Sequence, residues 1–272
     1  MRSRLSKVEG AGNDFLLGIG AWADRLAHDS TLVRRFCDRR LGIGADGVIA
    51  LFTTAEARVR LDYRNTDGGE ASFCANATRC AARAAVEHLD HPSHLVVDTG
   101  WGSIPAEVDG PEVTLELPSP STPPVRSAID TFGSLEDFQL LEIGVPHLAV
   151  ATQSLADLDL GALAPSLRSH PAVGPNGANV NFYEIDGDGV VQVRSWERGV
   201  EGETLCCGSG LVAVALLVMA AHNVRRLVLV PASGDQLVVE ALGEPPSCPT
   251  RFTGPTRVIA EIEPSDELLG VP

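Results

Sequence analysis

The chain has 272 residues, a hydrophobic content of 44% and a formal net charge of −15 at pH 7. That is enough apolar material for two compact domains, since one domain takes about 100–150 residues. An acidic excess of this size excludes the clustered basic footprint that nucleic acid requires and fits a small-molecule ligand better.

The opening MRSRLSKVEG is positively charged but leads into no apolar signal-peptide region. No run approaches the length of a membrane helix, so a cytoplasmic protein without a membrane partner is expected. Farther along, LVRRFCDRR reads as a helix, GIGADG follows it, and VIALF reads as a strand. That order is the reverse of a dinucleotide-binding fingerprint, which makes GIGADG a structural turn. DFLLGIG, RVRLDYR, HLVVD, EVTLEL, NVNFYEI, VVQVRSW and RLVLVP all read as strands. Two helices stand out: ANATRCAARAAVEHL, Ala-rich, just after Cys74, and GSGLVAVALLVMAA, apolar all round, just after Cys207. The apolar run Leu211 to Ala221 is too short to cross a bilayer and suits a helix buried on all sides.

Pro-rich stretches at 117–125 (LPSPSTPPV) and 243–249 (GEPPSCP) can neither continue a helix nor supply a central strand. Both read as crossings between domains. The N-terminal domain is then 1–118 plus 254–272, closed by the strand-like TGPTRVIAEIE, and the C-terminal domain is 119–253. Cys37, Cys74, Cys80, Cys206, Cys207 and Cys248 form no C-x-x-C pair, so no metal site is expected, and a cytoplasmic setting argues against disulfides.

Aligning Cys74 with Cys207 lays GGEASFCANA over EGETLCCGSG, so Gly69 meets Gly202 and Glu70 meets Glu203. A strand-like run precedes each element, and GNDFLL at 12–17 stands at nearly the same distance upstream as GVPHLAV at 144–150. This is a degenerate internal duplication. It predicts an α/β fold of two pseudo-symmetric domains, each a strand-rich sheet wrapped around a central apolar helix, with a cleft between them. Cys74 and Cys207 would then face one another at helix N-termini.

A helix N-terminus offers unpaired N–H groups and partial positive charge, which lower a thiol's pKa and attract an anion. Small residues beside the cysteines admit a carboxylate to the backbone, whose amides can stabilise the charge left when an α-proton departs. One thiolate removing a proton and an opposed thiol returning one would invert an amino-acid stereocentre without pyridoxal phosphate or any other cofactor. Taken alone, a cysteine beside an Ala-rich helix is more often a buried apolar residue. Cys37, Cys80, Cys206 and Cys248 lack the symmetric setting and read as structural. Glu70 and Glu203 read as favouring the helix N-termini.

GNDF at 12–15, CDRRLGIGADG at 37–47, NTDGGEASFCANATRC at 65–80, GVPH at 144–147, NVNF at 179–182 and ERGVEGETLCCGSG at 197–210 resemble the diaminopimelate epimerase family over nearly the whole chain. The resemblance implies interconversion of LL- and meso-diaminopimelate in lysine and cell-wall precursor synthesis, without metal or cofactor, by a possible homodimer. By match to the motifs, Cys74 and Cys207 are the proton-transfer residues, and His147 and Glu197 help exchange the thiols' protons. Asn13, Asn65, Asn179 and Arg198 match substrate ligands. Ala75, Asn76, Gly208 and Ser209 match the loops that hold the reacting carboxylate.

Three departures stand out: Ala75 and Ala77 in place of Gly, Val145 where Asn is common, and a loop at 200–203 that is one residue longer. They leave open a racemase or epimerase for another amino acid. A thiol-redox or binding protein on the same fold is the rival from a different class. Glu197 and Arg198, adjacent on a strand-like run, would point to opposite faces unless the chain bends there.

Overall fold

The computed structural model describes residues 3–127, 129, 135 and 137–270. The described residues up to Leu115 and from Gly254 onward form one compact unit, and those within Glu116–Thr253 form a second.

The first unit begins with β1 (Arg4–Gly10) and β2 (Asn13–Ile19), then α1 (Ala21–His28), α2 (Ser30–Cys37), β3 (Gly47–Ala55) and β4 (Arg58–Asn65). After these come α3 (Ala75–Leu89), β5 (His94–Thr99), β6 (Gly102–Asp109) and β7 (Glu112–Leu117). β1–β2 is antiparallel, β2–β3 parallel, β3–β4 antiparallel, β4–β5 parallel, and β5–β6 and β6–β7 antiparallel. α3 packs against every strand from β1 to β6. Its alanines allow this, because a methyl side chain lets a helix sit close to a sheet that curls around it.

The segment RLSKVEG, polar as it is, forms β1. Leu5, Ser6, Val8 and Gly10 are buried while Arg4, Lys7 and Glu9 stay half-buried. Leu16, Val48 and Ala50 face the other side, where α1 and α2 cover them through Leu26, Val33 and Phe36. Asp29 caps α2 by accepting the Leu32 N–H at 2.9 Å, the standard role of Asp before a first turn.

The second unit contains β8 (Val125–Arg126), β9 (Phe138–Ile143), β10 (Val145–Ala151), α4 (Leu160–Arg168), β11 (Asn179–Ile185) and β12 (Val191–Glu197). It continues with β13 (Gly202–Thr204), α5 (Gly208–His222), β14 (Arg226–Pro231), β15 (Leu237–Ala241) and β16 (Thr250–Pro255). The chain returns to the first unit at Gly254, within β16, and continues there as β17 (Arg257–Glu261), which pairs antiparallel with β1, and α6 (Asp266–Leu269).

Pairing in the second unit repeats the first strand for strand. β9–β10 is antiparallel, β10–β11 parallel, β11–β12 antiparallel, β12–β14 parallel, and β14–β15 and β15–β16 antiparallel. α5 takes the place of α3, packing against β9, β10, β11, β12, β14 and β15. α4 covers the other face with Leu160, Ala164 and Leu167. Each unit is thus a strand-rich sheet around a central helix, the α/β architecture the sequence implies.

α5 is buried from Gly210 through Met219, which is why it is apolar on every side. Each large apolar side chain so buried contributes roughly 1.5–3 kcal/mol. α3 and α5 both run 15 residues and both end on a residue in the left-handed conformation, Asp90 (φ 57°) and Asn223 (φ 54°). Asn and Asp are the non-glycine residues that tolerate such a C-terminal position best.

The Pro-rich 243–249 segment is not a crossing. It connects β15 to β16 inside the second unit, and the chain leaves that unit only at 253/254. Prolines mark where an element must stop, and a hairpin connection satisfies that as well as a linker does. No helix among the described residues is long and apolar enough to cross a membrane.

Candidate active site

Cys74 and Cys207 are the residues that immediately precede α3 and α5. Both are extended at this N-cap position, with φ −145° and ψ 113° at Cys74 and φ −106° and ψ 97° at Cys207. Their carbonyls begin the helical ladders, accepting the N–H of Thr78 at 2.9 Å and of Leu211 at 2.9 Å. The duplicated element seen in the sequence is therefore one structural device used twice. All six cysteines are thiols and none forms a disulfide.

In the first unit, Asn76 lies in the first turn of α3 and is 1% exposed. Its Nδ2 donates to Asn13 Oδ1 at 2.5 Å, and its Oδ1 accepts from Arg79 Nη2 at 2.7 Å. Asn13 Nδ2 in turn donates to Asp46 Oδ2 at 3.1 Å. Arg39 pairs with Asp46 at 2.7 Å and Asp14 at 2.6 Å, and Lys7 reaches Asp14 at 2.8 Å. Burial alone would raise the Asp14 pKa, but Arg39 and Lys7 outweigh it and hold the carboxyl below its usual range. GIGADG is the turn between α2 and β3, and through Asp46 it also supports Asn13.

Asn65 is exposed at the end of β4, where its backbone N–H and C=O bond Gly69 and Gly68 at 2.9 Å each in the turn that leads to Cys74. Ala75 and Ala77 are buried within α3 in ordinary helical conformation, so the missing glycines leave no backbone strain there. At Gly10 a side chain would meet the Asn76 carbonyl at 3.1 Å and Cys80 Sγ at 3.2 Å, so its absence lets β1 lie against the helix.

In the second unit Cys207 is only 4% exposed. Burial, and secondarily the negative charge of Glu197, push its thiol well above the ordinary range, partly offset by the Gly210 N–H and the Ser209 hydroxyl. Asn179 Nδ2 lies 3.8 Å from Cys207 Sγ, and Asn179 Oδ1 accepts the Arg198 backbone N–H at 2.8 Å. Glu197 Oε1 accepts from Thr204 Oγ1 at 2.6 Å. β12 ends at Glu197 and the chain turns through Gly199 (φ 87°) and Glu201 (φ 53°), so Arg198 is not a strand residue. Its guanidinium donates to the Asn176 carbonyl at 3.2 Å.

His147 is completely buried. Burial lowers its pKa to about 3, with the charge of Arg198 adding to the effect and the Ile143 carbonyl opposing it, so the imidazole is neutral near pH 7. Its Nδ1 is 3.3 Å from Asn181 Nδ2, while its Nε2 is buried without a hydrogen-bond partner. A buried polar group left in that state costs about 1–3 kcal/mol, which a ligand able to bond it would recover.

Strand register relates the two units more closely than the cysteine motifs do. His147 pairs with Asn179 across β10 and β11, and Glu197 follows the last β11–β12 pair, Val180 with Trp196. The matching rung in the first unit is Phe15, Gly47 and Asn65. Asn65 and Glu197 thus hold equivalent places, as do Phe15 and His147.

The paired glutamates of the duplicated element do not serve the helices. Glu70 binds Arg64 at 2.9 Å and Glu203 binds Arg194 at 2.7 Å, so a strand arginine claims each one. Asp46, Arg79, Asn181 and Thr204 lie within the matched motifs but, like Ser195 outside them, received no role from the sequence; each bonds one of the residues named above or a residue adjoining it. The N-x-N spacing of Asn179 and Asn181, which puts both on one strand face, was the available signal.

The whole fold recurs in solved structures. A hydroxyproline epimerase from Agrobacterium vitis superposes with a TM-score of 0.69 at 18% identity, covering 96% of this chain and 90% of that one. A PhzF-family phenazine biosynthesis protein from Bacillus anthracis gives a TM-score of 0.72 at 14% identity, covering 97% of this chain and all of that one (100%). At these identities the likeness concerns the fold alone.

Sequence comparison is more specific. The model of the diaminopimelate epimerase family matches residues 5–119 and 140–255. A diaminopimelate epimerase from Gemmatimonas aurantiaca is 37% identical over 217 residues, 78% of each chain. Another from Archaeoglobus fulgidus is 36% identical over 255 residues, 88% of this chain and 90% of its own. The chain belongs to the diaminopimelate epimerase family and is an isomerase.

Proposed function

We propose that the protein interconverts LL- and meso-diaminopimelate by removing a proton from one face of an α-carbon and returning one to the other, with Cys74 and Cys207 as the two proton-transfer groups. Family membership supports the substrate. The observation that carries the mechanism is that these two cysteines, and no others, stand at the N-cap positions of the equivalent central helices of two units with one topology.

On this reading the first-turn amides beside Ala75, Asn76, Gly208 and Ser209 hold the reacting carboxylate. Their partial positive charge stabilises the enediolate-like anion formed when the α-proton leaves. Cys207, whose thiol is held above its ordinary range, rests protonated and acts as the acid toward one stereoisomer. In the reverse direction the same sulfur must act as base, and Glu197 and His147 assist the exchange of its proton. Asn13, Asn65, Asn179 and Arg198 orient the rest of the substrate, with the guanidinium suited to a distal carboxylate. No step requires a metal or organic cofactor. A cytoplasmic setting, which keeps thiols reduced, and a homodimeric assembly belong to the same reading.

The test is incubation of the purified protein in D₂O with LL-diaminopimelate and, separately, with amino acids carrying one carboxylate. Deuterium should enter diaminopimelate at the inverted α-carbon alone. Incorporation into another amino acid with none into diaminopimelate would transfer the mechanism to a different substrate. Electron transfer to a disulfide partner without any exchange would favour the redox reading.

A further inference from the structure

His147 is held by residues that the catalytic reading leaves unused. Asn181 is fully buried, Ser195 is 3% exposed, and the Ser195 hydroxyl donates to Asn181 Oδ1 at 2.9 Å. That bond turns the amide nitrogen toward His147 Nδ1, 3.3 Å away. Gly210 supports the same orientation from the first turn of α5. A side-chain carbon there would fall 2.1 Å from Asn181 Oδ1 and 3.2 Å from its Nδ2, so the amide oxygen packs directly over the glycine. A backbone C–H tolerates an oxygen at such an approach, whereas an N–H pointed at it would have no acceptor.

We propose that Asn181 is a positioning residue which, set by Ser195 and Gly210, holds His147 as the tautomer protonated on Nε2. Two groups face the ring: the Ile143 carbonyl can only accept and the Asn181 NH₂ can only donate, so with Nδ1 accepting from the amide a neutral ring carries its hydrogen on Nε2. The orphan atom of His147 is accordingly a donor. In the resting protein His147 offers a hydrogen bond to whatever anion enters beside it, such as a thiolate or a carboxylate, and does not wait as a base. The inference rests on the reading of His147 as a group that takes part in proton exchange, but the tautomer itself can be measured without turnover.

The test is ¹⁵N NMR of the full chain labelled at histidine, with the His147 signals assigned by their loss in His147→Gln. At neutral pH the wild-type ring should show an unprotonated Nδ1 and a protonated Nε2. Asn181→Asp, which presents a second acceptor in the same space, should move the proton to Nδ1. Ser195→Ala frees the amide to rotate and should give both forms. In kinetics, Asn181→Asp should lower kcat about 100-fold with little change in KM. A wild-type ring protonated on Nδ1 overturns the proposal, as does an unchanged tautomer in folded Asn181→Asp. Should that variant not fold, the wild-type and Ser195→Ala spectra still decide. If diaminopimelate shows no exchange while the tautomer is as stated, the substrate reading fails and this inference stands.

Discussion

Asn179 ties Cys207 to the chain that follows β12, its Nδ2 3.8 Å from the cysteine sulfur and its Oδ1 2.8 Å from the Arg198 nitrogen. One amide thus fixes both a thiol and the turn that carries the guanidinium. Asn179→Asp would set a carboxylate beside Cys207 in place of the amide NH₂ while still accepting the Arg198 N–H. The Cys207 thiol should therefore titrate higher still, and kcat and KM should both worsen, by about tenfold or more in kcat/KM. Steady-state kinetics and the pH dependence of Cys207 alkylation, read by mass spectrometry, measure the two effects separately.

Glu197 acts on the same sulfur with the opposite remedy. Its charge helps to raise the Cys207 pKa, after burial. Glu197→Gln keeps the shape and an acceptor for Thr204 while removing the charge, so the thiolate becomes easier to form. Alkylation of Cys207 should begin at lower pH in the variant than in the wild type. Cys37 and Cys80, both pushed up to about 12 by burial, should remain unmodified at pH 8 in both proteins.

The parts of this structure that were legible in the sequence are those where one local rule decides the outcome. An Ala-rich and a wholly apolar segment, each after a motif cysteine, gave α3 and α5 their limits, because a central helix must be small or apolar on every face. Alternation revealed the strands in the same way. The Asn181–His147 contact was not legible, since it joins residues 34 positions apart and rests on an amide orientation that strand periodicity does not encode. Glu70 and Glu203 misled for a related reason: proximity in sequence suggested the helix termini, while Arg64 and Arg194 stood closer in space. The Pro-rich 243–249 stretch signalled an interruption truthfully but not which elements it separated.

The two-thiol mechanism makes a sharp demand on the cysteines. Cys74→Ala and Cys207→Ala should each abolish inversion, and each serine variant should keep at most partial activity, because a hydroxyl is a far weaker acid than a thiol. A polarimetric or coupled assay of stereochemical inversion checks this. Near-normal turnover by either alanine variant would eliminate the two-base scheme while leaving the family assignment intact.

Gly210 and Asn181 offer a test of packing that is independent of catalysis. With a methyl group 2.1 Å from Asn181 Oδ1, Gly210→Ala must displace either the amide or the first turn of α5. Overpacking of this kind costs about 1–3 kcal/mol. In the double variant with Asn181→Ala the obstruction is gone, so the loss should be less than the two single losses added together. Urea denaturation of the four proteins gives the coupling energy, and simple additivity would show that the two residues do not meet.

Buried His147 predicts how stability changes in acid. Its folded pKa of about 3 lies below the ordinary 6.5, so the unfolded chain binds a proton that the folded chain refuses. Stability from this group is complete above pH 6.5 and falls as the pH drops from there toward 3. Between pH 7 and pH 5 the loss is about 2 kcal/mol, taking about 1.4 kcal/mol per pH unit across the part of that interval below 6.5. Other groups titrate in the same range, so the comparison is with His147→Gln, whose side chain has no proton to gain. The wild type should lose about 2 kcal/mol more than the variant over this interval in urea titrations at the two pH values. Parallel losses in both proteins would mean that the imidazole is charged, or accessible to water, in the folded state.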